Sequence, residues 1–159
     1  LIIILVLPIF SFFIPLNKIY CGYKFRIKDI FFIWLSTFFS LVILINLILK
    51  NFWGRARPNE VYDLGGSNYF TPWFQVSNEC MSNCSFVSGD AAVGFSLIIF
   101  FFFTKKNVYL WLALIFGFTL GLVRILEGAH FISDIILSCF IVFSLNYLTY
   151  AYYSKKIND

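Results

Sequence analysis

The chain has 159 residues, 60% of them hydrophobic and 13% charged, with 22 phenylalanines and a formal net charge of +4. A water-soluble domain of this length cannot hide so much apolar surface, so composition excludes an ordinary soluble enzyme and predicts an integral membrane protein. The positive balance is not a nucleic-acid footprint, because no basic stripe alternates with exposed aromatics outside the apolar runs.

Residues 1–16 are apolar but short, and Pro8 and Pro15 interrupt them. No basic region precedes this run and no small-residue cleavage site follows it, which argues against a signal peptide. We read it as the remainder of a span in an N-terminally truncated chain, which starts without methionine. Residues 30–49 carry no charge; at about 1.5 Å rise per residue they reach roughly 30 Å, the thickness of a hydrocarbon core. Residues 86–103, 108–123 and 135–153 are similar, the first holding Asp90 near its start. The expected fold is all-α, a polytopic transmembrane bundle with five visible spans, in a single domain over residues 1–159.

Basic residues orient the bundle. Lys18, Lys24, Arg26 and Lys28 lie between the first two spans, Lys105 and Lys106 between the third and fourth, and Lys155 and Lys156 after the fifth. Threading the spans alternately puts all of these on one side, which the positive-inside rule makes the cytoplasm. Lys50, Arg55, Arg57 and Arg124 then face the opposite side.

The connection 51–85 lies on that opposite face. Pro58, Gly65, Gly66 and Pro72 break regular structure in it. Its aromatics (Trp53, Tyr62, Tyr69, Phe70, Trp73 and Phe74) suit headgroup level, or else line an access path for a lipid headgroup. Cys80 and Cys84, spaced C-x3-C, form a disulfide if that face is oxidising. Cys21 and Cys139 read as inert thiols. A zinc site is not expected, since His130 is the sole histidine. Asn83-Cys84-Ser85 matches a glycosylation sequon, a match common by chance.

Three stretches at the ends of apolar runs carry the chemistry. In Lys50-Asn-Phe-Trp-Gly-Arg-Ala-Arg57-Pro58, Lys50 and Arg57 are either interfacial anchors or a phosphate clamp, arginine offering a planar fork and lysine a compact charge. In Val87-Ser88-Gly89-Asp90, Ser88 suits an N-cap, and Gly89 admits an anion close to backbone N–H groups; a merely capped helix is the plain alternative. In Arg124-Ile-Leu-Glu-Gly-Ala-His130-Phe-Ile-Ser-Asp134, His130 and Asp134 stand four apart. On a helix they share a face, so the carboxylate accepts from one ring nitrogen and leaves the other free to attack. The threading puts all three stretches at one depth on one side, where ionisable groups usually mark function.

These motifs resemble the type 2 phosphatidic acid phosphatase family, relatives of vanadium haloperoxidases and bacterial acid phosphatases, whose signature is K-x6-RP, PSGH and SR-x5-H-x3-D. The first part is intact at Lys50, Arg57 and Pro58; the third keeps its spacing at Arg124, His130 and Asp134, with Val123 for the serine. The resemblance implies six helices in the full-length protein. It also implies that His130 attacks phosphorus to form a phosphohistidine, that Asp134 orients and charge-stabilises His130, and that Lys50, Arg57, Arg124 and the Ser88/Gly89 backbone hold the phosphoryl oxygens. Water then hydrolyses the intermediate, and no metal or other cofactor is needed, because the cations supply the field.

Asp90 departs from the pattern, standing where the family has a histidine that protonates the leaving oxygen. An aspartate near its ordinary pKa of about 3.9 is ionised at neutral pH. Asp90 acts as acid or base, or the leaving group needs little protonation, or turnover is impaired; Glu127 is an alternative donor. The expectation is therefore a membrane phosphatase acting on a lipid phosphate (phosphatidate or phosphatidylglycerophosphate, undecaprenyl pyrophosphate, or lipid A) at the non-cytoplasmic face of the cytoplasmic membrane. A catalytically impaired lipid-phosphate-binding protein of the same fold is the alternative. A transporter would place ionisable residues near mid-span, where the main spans hold none.

Overall fold

A computed structural model describes residues 19–20 and 23–158. A two-residue antiparallel pair, β1 (Ile19–Tyr20) and β2 (Tyr23–Lys24), precedes five helices. The first, α1, runs over Ile27–Phe52, wound as an α-helix to Phe38 and as a π-helix over Phe39–Leu49. Then come α2 (Gly89–Phe95), α3 (Ile98–Thr104), α4 (Asn107–Leu126) and α5 (Ile132–Asn158). The protein is all-α in class.

Three helical stretches, Ile27–Phe52, Asn107–Leu126 and Ile132–Lys156, are long and apolar enough to cross a membrane. The expected span 86–103 differs. It begins only at Gly89 and breaks at Ser96–Leu97, so α2 and α3 together form a shorter apolar stretch, Gly89–Thr104. At about 1.5 Å per residue, this covers roughly 24 Å. Ser96 lies at the break, where its hydroxyl donates to the Val93 carbonyl at 2.7 Å. The expected span 1–16, Lys18 and Cys21 lie outside the described residues.

The spans show their apolar side chains outward: Phe31, Phe39, Leu47, Trp111, Ile115, Phe118, Ile136 and Phe140 are all exposed. An apolar belt of this extent is favourable only against lipid. Inside, Leu41, Ile45, Phe95, Ile99 and Val142 are almost wholly buried. The short pair α2–α3 fits between the longer helices because small residues let backbones approach. A Cβ added at Gly94 would stand 2.5 Å from the Gly117 nitrogen, so α2 and α4 cross almost backbone to backbone. Several polar side chains within the bundle are paired: Ser36 donates to Asn146 at 2.7 Å, and Thr37 to the Ile33 carbonyl at 2.8 Å.

One end of the bundle gathers the basic turns. Asp29, buried at the start of α1, accepts from the Arg26 backbone N–H at 2.7 Å and its guanidinium at 3.1 Å, and from the Tyr153 hydroxyl. Lys105 lies 4.3 Å from the Tyr150 ring, and Phe103 packs on Tyr153. The Arg26, Lys105 and Lys155 regions therefore share one end. The C-termini of α1 and α4 and the N-termini of α2 and α5 meet at the other.

The connection between α1 and α2 covers that second end. It is ordered by short 3-10 turns at Pro58–Glu60 and Tyr62–Leu64 and by contacts back to α1. Gly54 is required there: its φ is +68°, and a Cβ would overlap the Ser77 carbonyl at 1.7 Å. Trp53 stacks on Phe86 at 4.3 Å and donates to the Trp73 carbonyl at 2.9 Å, so it is a packing residue. Tyr62, Tyr69, Phe70, Trp73 and Phe74 remain exposed.

Candidate active site

The site forms where these four helix ends meet. Lys50 ends the π-wound part of α1 and is buried, its Nζ 3.4 Å from Asn83 Oδ1. A Cβ on Gly89 would lie 3.4 Å from the same Nζ and 3.2 Å from Asn46 Oδ1, so Lys50 and Asn46 both face the start of α2. Arg57 donates through Nη2 and Nε to the Asn83 carbonyl, at 2.8 and 3.3 Å. Asn83, with φ +51°, thus joins the two cations of the first motif, one through its side chain and one through its backbone.

Ser88 is the N-cap of α2, its Oγ accepting from the Ala91 N–H at 3.4 Å. Ser138 Oγ bonds the carbonyls of both Ser88 and Asp134, at 2.8 and 2.7 Å, tying α2 to α5. Asp90 is half exposed and makes a 3.0 Å ion pair with Arg124 Nε, although that N–H is not aligned for a hydrogen bond. Arg124 also donates to Glu127 at 2.5 Å. Two carboxylates therefore steady Arg124 at the end of α4, where a cation suits the helix terminus.

His130 is 1% exposed. Its Nδ1 lies 2.6 Å from the Ser85 carbonyl, and its Nε2 is buried without a hydrogen-bond partner. A carbonyl only accepts, so Nδ1 carries the proton and Nε2 presents a lone pair. The expectation that Asp134 takes this Nδ1 proton on a shared helix face needs correction. His130 precedes α5, which begins at Ile132, and its Nδ1 stands 3.8 Å from Asp134 Oδ2. Asp134 is fully engaged elsewhere. Its Oδ2 accepts from Ser85 Oγ at 2.6 Å and from the Phe131 N–H at 3.0 Å, and its Oδ1 accepts from Arg55 Nη1 at 2.6 Å.

Arg55 and Ser85 were not singled out by sequence reasoning. Arg55 reads there as one more loop cation; the only signal is its place two residues before Arg57. In the structure it is 2% exposed and sits 4.1 Å over the Phe131 ring. Ser85 joins through its backbone as much as its hydroxyl, since its N–H donates to the Arg55 carbonyl at 2.9 Å. Cys80 and Cys84 form a disulfide, and the Cys84 N–H donates to the Lys50 carbonyl at 3.1 Å. Residues 83–85 thus touch Lys50, Arg55, Arg57, His130 and Asp134. A cavity of about 630 Å³, lined mostly by apolar groups including Phe70, Trp73, Ile125, Leu126 and Ile132, reaches His130 and Arg55.

Comparison with known proteins decides the family: the PAP2 superfamily matches residues 30–158. The chain belongs to the PAP2 superfamily. This PAP2 chain is 36% identical over 159 residues to a lipid A 4'-phosphatase of Francisella tularensis subsp. novicida (strain U112), covering 98% of the chain and 69% of that relative. It is also 36% identical over 99 residues to a lipid A 4'-phosphatase of Rhizobium leguminosarum, covering 60% of the chain and 42% of the relative. No solved structure matches. Family and relatives together support a lipid phosphatase among membrane proteins.

Proposed function

We propose that this PAP2 protein removes a phosphate from lipid A, or a closely similar phosphorylated glycolipid, through a phosphohistidine on His130. The observation that carries the reading is the buried Nε2 of His130, with Nδ1 held by the carbonyl of Ser85 in the same 83–85 segment that engages Lys50 and Arg57. The relatives' substrate supports lipid A as the choice among lipid phosphates. The apolar cavity beside His130 suits an amphiphile.

In the first half-reaction a bond forms between Nε2 and phosphorus as the bond to the lipid oxygen breaks. The ring then carries hydrogen on Nδ1 and phosphorus on Nε2, and is cationic. The Ser85 carbonyl and the Asp134 carboxylate, 3.8 Å away, stabilise that charge. Lys50, Arg57, Arg124 and the backbone of Gly89 neutralise the phosphoryl oxygens, so the reaction runs without a metal ion; the Ser88 N–H, expected to join them, donates instead to the Asp134 carbonyl. Asp90 is half exposed and paired with Arg124, so this edge of the site opens on water. The leaving oxygen takes its proton from water there. In the second half-reaction Asp90 accepts a proton from the attacking water, and inorganic phosphate leaves. The positive-inside rule, with the basic turns at the far end of the bundle, supports a non-cytoplasmic site on the cytoplasmic membrane.

Asp90 also favours the second reading, a lipid-phosphate-binding protein with little turnover. One experiment separates the two: inorganic phosphate release in detergent from lipid A, phosphatidate, phosphatidylglycerophosphate and undecaprenyl pyrophosphate, with and without EDTA. The proposal expects turnover on lipid A above the others, unchanged by EDTA, a loss of about 10²-fold in Asp90→Asn, and recovery in Asp90→His. No release from any of the four lipids by the wild type, with release appearing in Asp90→His, supports the binding reading.

A further inference from the structure

We propose that Arg55 is a positioning residue for phosphoryl transfer. It holds Asp134 as a fixed carboxylate beside His130 and, through Ser85, sets which ring nitrogen attacks. This inference rests on the proposed role of His130.

Asp134 is 0% exposed, and a carboxyl group so buried is costly unless its oxygens are hydrogen-bonded. Its closest cationic partner is not His130 but Arg55, with Nη1 2.6 Å from Oδ1. The guanidinium is itself oriented from several sides. Nη1 also donates to Ser133 Oγ, and Nε to the Thr71 carbonyl, each at 2.9 Å. The Phe131 ring lies against its face. Its Nε and Nη1 donors are committed in this way, whereas the guanidinium of Arg57 contacts only the exposed Asn83 among the described residues. We therefore assign Arg55 to the carboxylate.

The second path runs through the backbone. The Arg55 carbonyl accepts from the Ser85 N–H, the Ser85 hydroxyl donates to Asp134 Oδ2, and the Ser85 carbonyl takes the His130 Nδ1 proton. Arg55 therefore contacts Asp134 directly and fixes Ser85, which touches both Asp134 and His130. Displacing the guanidinium shifts the carboxylate and, through Ser85, the ring. A misplacement of about 1 Å at a reacting group is enough to lose about 10²-fold in rate.

A double-mutant cycle in kcat and KM on lipid A tests this, using wild type, Arg55→Lys, Arg55→Gln, Asp134→Asn and the double variant Arg55→Gln/Asp134→Asn. Arg55→Gln is expected to lower kcat about 10²-fold with KM within about threefold of wild type. Arg55→Lys, which keeps the charge but not the fork, falls between them. If Arg55 acts through Asp134, the double variant is no slower than Asp134→Asn alone. Additive losses, or a raised KM with unchanged kcat, overturn the proposal.

If Arg55→Gln does not fold, Arg55→Lys carries the same cycle. Orthovanadate affinity, read by tryptophan fluorescence, supplies a readout that needs no lipid, and the same non-additivity is expected in it. A wild type that binds orthovanadate but hydrolyses no lipid phosphate counts against the proposed function alone, and the cycle is then read on orthovanadate. A wild type that does neither overturns both.

Discussion

Replacing His130 with alanine is expected to abolish phosphate release, with a fall of at least about 10⁴-fold in kcat. No other histidine exists in the chain to take over the attack. The neighbouring nitrogen groups have another role in the proposed reaction: Lys50, Arg57 and Arg124 hold phosphoryl oxygens. The size of the effect follows from the role. Removing a phosphate-binding cation weakens the stabilisation of a reaction that still proceeds, whereas removing the nucleophile removes the covalent route altogether. Loss of the imidazole also leaves the buried Ser85 carbonyl without its donor, which costs about 1–3 kcal/mol. His130→Asn restores a donor while leaving no nucleophile. Both variants, assayed on lipid A alongside thermal unfolding in detergent, should be inactive, and the asparagine variant should melt closer to wild type. Activity surviving in either one contradicts the nucleophile assignment.

Asp134 separates charge from architecture. Asp134→Ala is expected to destabilise the protein by about 3–5 kcal/mol, because the buried Arg55 guanidinium loses its only carboxylate partner among the described residues. Ser85 Oγ and the Phe131 N–H lose their acceptor in the same change. Asp134→Asn keeps the volume and an oxygen for Arg55 but removes the charge 3.8 Å from the His130 ring. It should stay folded while kcat falls about 10²- to 10³-fold, since the developing imidazolium is then held by the Ser85 carbonyl alone. Measuring unfolding and kcat on both variants shows whether the two effects part in this way. An alanine variant as stable as wild type would mean that Arg55 finds another partner, contrary to the buried pair.

The structure explains why some of this was legible in the sequence. Lys50, Arg57, Arg124 and His130 could be read from spacing, because each closes or follows an apolar run and the runs dictate which end of the bundle they reach. The basic turns were legible for the same reason. The contacts that orient His130 were not. Its partner is a main-chain carbonyl, at Ser85, and every residue has one. The turn from Glu127 to Phe131 takes His130 off the helix, so a four-residue spacing did not mean a shared helical face. Arg55 and Arg57 look alike as loop arginines. Only the fold of the connection, with Gly54 turning under Ser77, buries one and leaves the other facing Asn83. The break at Ser96–Leu97 was equally hidden, since Gly94 and Ser96 are weak signals that an apolar helix commonly tolerates. Asp90 was conspicuous as a departure from the family pattern, but its pairing with Arg124 needed the packing of α2 against α4.

The central claim is a covalent phosphohistidine at His130, and rapid acid-free quenching of the enzyme with ³²P-labelled lipid A tests it most directly. The account predicts a phosphoenzyme that is stable to alkali and labile to acid, maps to the peptide holding His130, accumulates in Asp90→Asn, and is absent in His130→Ala. Turnover of lipid A with no label on that peptide would contradict it.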